Sequence, residues 1–305
     1  MSFYSGTASN YIDLLKTIID KMQLNGWTLI ECNGNTVAPT SADLNLTPTD
    51  GSSEQNICYL QSVGIATTDR WQIRLSTYQN SSNGYYNFGM SGGKYNVAGN
   101  IAYQPGLYSG SRYATFWNNS INYDTNIDAD RVCIKWRIGS SYYFMYIGGF
   151  DKGEVLSTQY LCPFIIIGQS KSSSTTYNTD AKSLSGTSNN VTLISNLNAR
   201  ISGHGSSTTV RLYPFKNVDD GRTYNGFLKL ANNFGTVDGF SLRDIVIIYN
   251  SFIAGTLKGV WAVSSINNQN DSVITDPATG MQYLCFGQHN DLSNSKMLAI
   301  SKENV

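Results

Sequence analysis

The clearest periodicity in the chain lies near its start. From Ser9 to Leu24 the apolar residues Tyr11, Ile12, Leu15, Ile18, Ile19 and Met22 recur three and four positions apart, which gathers them on one face of an α-helix. Thr7 or Ser9 is placed to cap the first turn, and Asn25-Gly26 supplies the left-handed residue that stops the helix. The period then changes at once: Trp27-Thr28-Leu29-Ile30-Glu31 reads as a strand. Strict alternation follows from Arg70 to Tyr78, with Trp71, Ile73, Leu75 and Thr77 opposed to Gln72, Arg74 and Ser76. Arg131 to Ile138 repeats it, with Val132, Ile134, Trp136 and Ile138 opposed to Cys133, Lys135 and Arg137. Gly139-Ser140-Ser141 then turns the chain into a second strand, Tyr142 to Ile147. Phe164-Ile165-Ile166-Ile167 is apolar throughout, as a strand covered on both faces is. Between Tyr78 and Trp117 a Gly/Asn/Tyr-rich stretch has little period and predicts long loops linking short strands.

The composition breaks from Ser170 to Asn190, a run almost entirely of Ser, Thr, Asn, Lys and Gly. Strand patterns resume at Val191–Ile194, Thr208–Tyr213, Leu242–Tyr249, Gly259–Val263, Gln282–Phe286 and Lys296–Ile300. Many short strands with turn signals between them predict a mainly β protein: two β-sandwich- or barrel-like domains with one N-terminal amphipathic helix. The divisions expected are a helix plus β domain over 1–172, a linker or long loop over 173–190, and a second β domain over 191–305.

Composition narrows the functional classes. Only 14% of the 305 residues are charged, against about 25% in an average soluble domain. Asn, Ser, Thr and Gly take their place, with 20 Tyr, so the surface is polar but weakly ionic. Such a surface suits a large assembly, or contact with sugars through hydrogen bonds and aromatic faces. The net charge is zero and the basic residues are scattered, which argues against nucleic acid as a partner. No apolar run approaches the ~20 residues of a membrane span. Met1 to Gly6 lacks the basic and apolar regions of a signal peptide, so synthesis in a cytoplasm without ordinary export is expected.

Few residues carry chemistry. His204 lies in Ser202-Gly203-His204-Gly205-Ser206 and His289 in Gln288-His289-Asn290-Asp291; neither adjoins a nucleophile elbow or a metal-ligand spacing. Asp124 to Asp130 has oxygen donors at alternate positions, as a calcium loop does. Ala129, however, holds the place of the required glycine and Lys135 that of the bidentate glutamate, so the segment reads as a solvated turn before the Arg131 strand. Asp219-Asp220-Gly221 is a turn signature, and Gly89-Met90-Ser91-Gly92-Gly93 lacks the lysine of a phosphate loop. The five cysteines are odd in number and form no C-x-x-C pair, which predicts small buried hydrophobes. No catalytic residue, cofactor or metal is expected. The remaining candidate is a binding surface of aromatics, Tyr85, Tyr86, Tyr95, Tyr103, Tyr108, Tyr113 and Trp117, set among Asn and Gly.

Three ordered stretches carry a resemblance to a known group. The first is Gly6-Thr7-Ala8, leading through Tyr11-Ile12-Asp13-Leu14-Leu15 to Gly26-Trp27-Thr28. The second runs from Lys135 through Tyr146-Ile147-Gly148-Gly149-Phe150, Ser157-Thr158-Gln159-Tyr160 and Pro163 to Ile167-Gly168-Gln169-Ser170. The third is Gly255 to Val263, then Gln282 to Phe286 and Met297 to Ile300. Together they resemble a family of tailed-bacteriophage virion structural proteins. Leu161-Cys162 departs from it, standing where that family commonly has a proline, and Tyr78–Trp117 has no counterpart in it. The resemblance implies a shared fold and a non-enzymatic subunit of the phage tail or baseplate. It implies symmetric assembly with itself and with other virion proteins, and localisation in the virion after synthesis in the host bacterium. The alternative it leaves open is an adhesin of the tail tip that attaches to host-surface glycans.

Overall fold

A computed structural model of the chain describes residues 2–50, 54–63, 71–94, 112–116, 118–152, 164–167, 169–170, 191–194, 200–202, 210–213, 242–249, 252–264, 269–287 and 296–302. Strand β1 (Ser2–Ala8) leads into helix α1 (Tyr11–Leu24), followed by β2 (Thr28–Cys32), β3 (Gln55–Gln61), β4 (Trp71–Asn80), β5 (Tyr85–Lys94) and β6 (Arg112–Phe116). Next come β7 (Ile121–Ile127), β8 (Arg131–Ile138), β9 (Ser141–Lys152), β10 (Phe164–Ile167) and β11 (Gln169–Ser170). The later strands are β12 (Val191–Ile194), β13 (Arg200–Ser202), β14 (Val210–Tyr213), β15 (Arg243–Tyr249), β16 (Phe252–Ser264), β17 (Val273–Thr275), β18 (Gln282–Phe286) and β19 (Lys296–Ser301). The protein is mainly β with one N-terminal α-helix among the described residues, as the alternating pattern predicts.

The helix starts later than its apolar period suggests. Residues 2–8 are extended and pair antiparallel with β7, which holds Thr7 opposite Asn122 and away from the helix. The cap is therefore Asn10, not Thr7 or Ser9: its side-chain oxygen accepts from the backbone N–H groups of Ile12 and Asp13 at 2.9 and 3.0 Å. Ser9 supports the same turn by donating from its backbone N–H and its hydroxyl to the Asp13 carboxylate. Gly26, at φ +88°, ends the helix as expected.

Two antiparallel sheets carry the fold. One has the order β11-β6-β5-β4-β3-β2. The other follows β1-β7-β8-β9-β16-β19-β18-β17, with β10, β12 and β13 joined at β9, and β14 and β15 joined at β16. Among the described residues every strand pairing is antiparallel. Helix α1 shares one apolar cluster with a face of each sheet: Leu14, Leu15 and Ile18 join Leu60, Ile73, Phe88 and Met90 of the first, and Val132, Ile134 and Trp136 of the second. The Trp136 ring stacks between Phe116 at 4.4 Å and Tyr143 at 5.5 Å.

Residues of β8, β9 and β10 that point the other way enter a second cluster. Cys133, Phe144, Tyr146, Ile165 and Ile167 pack there against Ile245, Leu257, Val260, Phe286, Leu298 and Ile300. The larger sheet curls over its own middle strands, which are thus covered on both faces, as the apolar run of β10 predicts. A third cluster (Val263, Tyr283, Cys285, Met297 and Ala299) lies on the opposite face of β16, β18 and β19. Strand β9 pairs with β8 along Ser141 to Gly148, and its end pairs with β16 at Phe150 to Lys152, so one ladder joins residues from both sides of 173–190. The expected linker at 173–190 itself lies outside the described residues.

The Gly/Asn/Tyr-rich stretch is more regular than its sequence suggests. Tyr85 to Lys94 pairs with β4 in ten consecutive partners, from Asn80↔Tyr85 to Trp71↔Lys94. Gly92 serves close packing here: a Cβ on it would press on the Phe164 ring and the Gln72 carbonyl.

Candidate functional site

The turn between β7 and β8 is the point on which the described parts of the chain converge. Asp124 to Ile127 is strand, and only Asp128-Ala129-Asp130 forms the turn, closed by the Asp128 N–H on the Arg131 carbonyl. This narrows the expected solvated turn to residues 128–130, where Asp128 and Ala129 are partly exposed but Asp130 is buried at 5% exposure, and Arg131, which opens β8, is buried at 1%. Nor do the oxygens converge as a cation cage would need. Asp124 binds Lys135 at 2.5 Å, Asp128 lies 3.9 Å from the Arg131 guanidinium, and Asp130 accepts from Lys258 at 3.0 Å. Extended backbone explains it: each strand residue advances the chain by about 3.3 Å, so Asp124 lies far along β7 from the turn that carries Asp128 and Asp130. No group of three or more His, Cys, Asp or Glu residues suited to a metal occurs among the described residues.

Three remote segments pack on this turn. The Trp27 indole N–H donates to the Asp128 carbonyl at 2.7 Å. The Gly149 N–H donates to the Asp130 carbonyl at 3.0 Å, while Gly148, at φ +138°, lies so close to Arg131 that a Cβ would collide with its Cα. From the far end of the chain Gly259 lies under the Arg131 guanidinium, and Lys258 bridges Asp130 and Asp151. The Tyr146 hydroxyl closes the group by donating to the Gly149 carbonyl at 2.5 Å. Burial pushes that phenol well above its ordinary range, so it stays protonated as a donor.

A second charged group ties the curled sheet shut. Lys135 is nearly buried, and its ammonium donates to Asp124 at 2.5 Å and to Asp271 at 2.6 Å. The Tyr142 hydroxyl donates to the other Asp271 oxygen at 2.6 Å, and Arg137 approaches it at 3.6 Å. Burial alone would raise the Asp271 pKa; the hydrogen bonds from Lys135 and Tyr142, with the positive charges of Lys135 and Arg137, outweigh it and lower it. Periodicity shows Lys135 on the polar face of β8, but nothing near Asp271 marks it as its partner.

The predicted aromatic surface is only partly described. Tyr85 and Tyr86 are consecutive in β5, and Tyr86 is half-buried with its ring 5.3 Å from that of Tyr11. Tyr113 lies in β6 opposite Gly89. Tyr95, Tyr103, Tyr108 and Trp117 lie outside the described residues, as do His204, His289 and Asp219-Asp220. Four cysteines (Cys32, Cys58, Cys133 and Cys285) are buried free thiols, as expected, and Cys162 lies outside the described residues. Cys32 and Cys58, 26 positions apart, meet with their sulfurs at 2.7 Å.

No protein-family model matches the chain, and no curated protein matches it.

Proposed function

We propose that this chain is a non-enzymatic structural subunit of a tailed-phage virion, in the tail or baseplate, assembling with copies of itself and with other virion proteins. One observation carries the reading. The three stretches that resemble that family meet on the Asp128–Arg131 turn: Trp27 from the first, Gly148 and Gly149 from the second, Lys258 and Gly259 from the third. What they deliver there is close backbone approach, an indole donor and charge compensation. A motif set kept for a reaction would instead bring a nucleophile, a base or an oxyanion donor to one point. The low charge and the wealth of Asn, Ser, Thr and Tyr fit surfaces buried between subunits. The test is proteomic: purified particles, digested and quantified by mass spectrometry, are expected to contain this chain in several copies each. Its absence from particles sinks the proposal.

A further inference from the structure

We propose that Cys32 and Cys58 are a modification site, joined as a cross-strand disulfide when the folded protein meets a peroxide. Cys32 is the last residue of β2 and stands directly opposite Cys58 of β3. The Asn33 N–H donates to the Ile57 carbonyl at 2.8 Å, so the hydrogen bonds flank the cysteine pair instead of joining it. Such a non-hydrogen-bonded pair holds its Cα atoms about 4.5 Å apart, with the side chains drawn together. That spacing lies inside the range of about 4.4–6.8 Å that a disulfide spans without moving the backbone. Their sulfurs are already 2.7 Å apart, nearer than two thiols packed as plain hydrophobes require.

The two sulfurs are also unequal. The shared hydrogen bond holds the Cys32 thiol below its ordinary range and, with burial, pushes Cys58 above. Because it ends β2 beside an exposed turn, whereas Cys58 lies inside β3, Cys32 is the attacking sulfur. It is buried, yet it is followed at once by the exposed Asn33-Gly34 turn, a short path for a molecule as small as hydrogen peroxide. Cys133 and Cys285 serve as internal comparisons, because burial pushes them up to about 12 and about 11 and each stands away from the pair in a different cluster.

The chemistry balances with one peroxide. The Cys32 thiolate attacks a peroxide oxygen and the O–O bond breaks; the leaving hydroxide takes up the thiol's proton as water, and Cys32 becomes a sulfenic acid. The Cys58 sulfur then attacks the Cys32 sulfur. The S–S bond forms, the S–O bond breaks, and the hydroxyl leaves with the Cys58 proton as a second water. Two electrons have passed from the two sulfurs to the peroxide.

The experiment uses the full chain. The reduced protein is treated with one equivalent of hydrogen peroxide, alkylated in denaturant and digested at acidic residues without reduction; Asp43, Asp50 and Glu54 lie between the two cysteines. A Cys32 peptide joined to a Cys58 peptide is expected, and free thiols should fall from five to three, the five of the chain less the two that pair. A dithiol reductant should restore all of them, and the oxidised protein should melt at a higher temperature than the reduced one. A Cys58→Ala variant should show neither the link nor the rise. Alkylation of both cysteines after oxidation, a sulfinic acid at Cys32, or a link from either to another cysteine would each overturn the proposal.

Discussion

Gly148 shows how much one backbone position carries. Its φ of +138° belongs to a region open essentially to glycine, and the backbone of Asp130 and Arg131 lies against its Cα. Two costs therefore add in Gly148→Ala, conformational strain and a collision with backbone that cannot swing aside. The expected loss is about 3 kcal/mol or more. Gly34 separates the two, because it also has positive φ, at +83°, but nothing lies within 4 Å of an added Cβ. Gly34→Ala should cost only the strain, about 1–2 kcal/mol. Urea unfolding of both variants measures the difference, and equal losses would remove the turn from its central place.

For the helix, cap and face divide the work. Tyr11, Ile12, Leu14, Leu15, Ile18, Ile19 and Met22 are all buried, and each large apolar side chain withdrawn from water contributes roughly 1.5–3 kcal/mol. A cap contributes about 1 kcal/mol, so the face sets the stability of the helix and the cap sets where it begins. Asn10→Ala should lower unfolding stability by about 1 kcal/mol, read from the denaturant midpoint. Thr7→Val should leave the helix content seen by circular dichroism unchanged, since Thr7 lies in β1 and donates to Asn122. The reverse order of effects would restore Thr7 as the cap. Strand β8 is packed on both faces, which is why Lys135 must find carboxylates there.

At the scale of the molecule, the group around Lys135 closes the curled sheet by joining β7 and β8 to the turn before β17. Lys135→Met leaves Asp124 and Asp271 facing each other without their cation, and should cost about 1–3 kcal/mol. The same group makes stability depend on pH. Asp271 has a pKa below its ordinary 3.8 in the folded protein. A carboxyl shifted this way adds stability above its unfolded pKa and loses it as pH falls through the folded value. The denaturant midpoint should therefore fall as pH drops below about 4, and the fall should be shallower in Asp271→Asn. An identical acid slope in that variant would show that Asp271 takes no part.

By itself the sequence determined the local periods: the helix that ends at Gly26, the alternation of Arg131 to Ile138, the hairpin turn at Gly139-Ser140, the doubly covered run of Phe164 to Ile167, and the burial of the four described cysteines. These depend on neighbours within a few residues, and helix and strand periods record them directly. It left unmarked what depends on distant partners. The strand at Tyr85–Lys94 looks like loop because glycine lacks a side chain to show a period, and its pairing is supplied by β4. Residues 2–8 are a strand because β7 is there to receive them, and that moves the helix cap to Asn10. Asp124 to Asp130 has the look of a cation loop, but the fold sends its carboxylates to three different cations. Only tertiary structure joined Trp27, Gly148 and Gly259 at one turn, Lys135 to Asp271, and Cys32 to Cys58, because antiparallel register brings together residues that no local period relates.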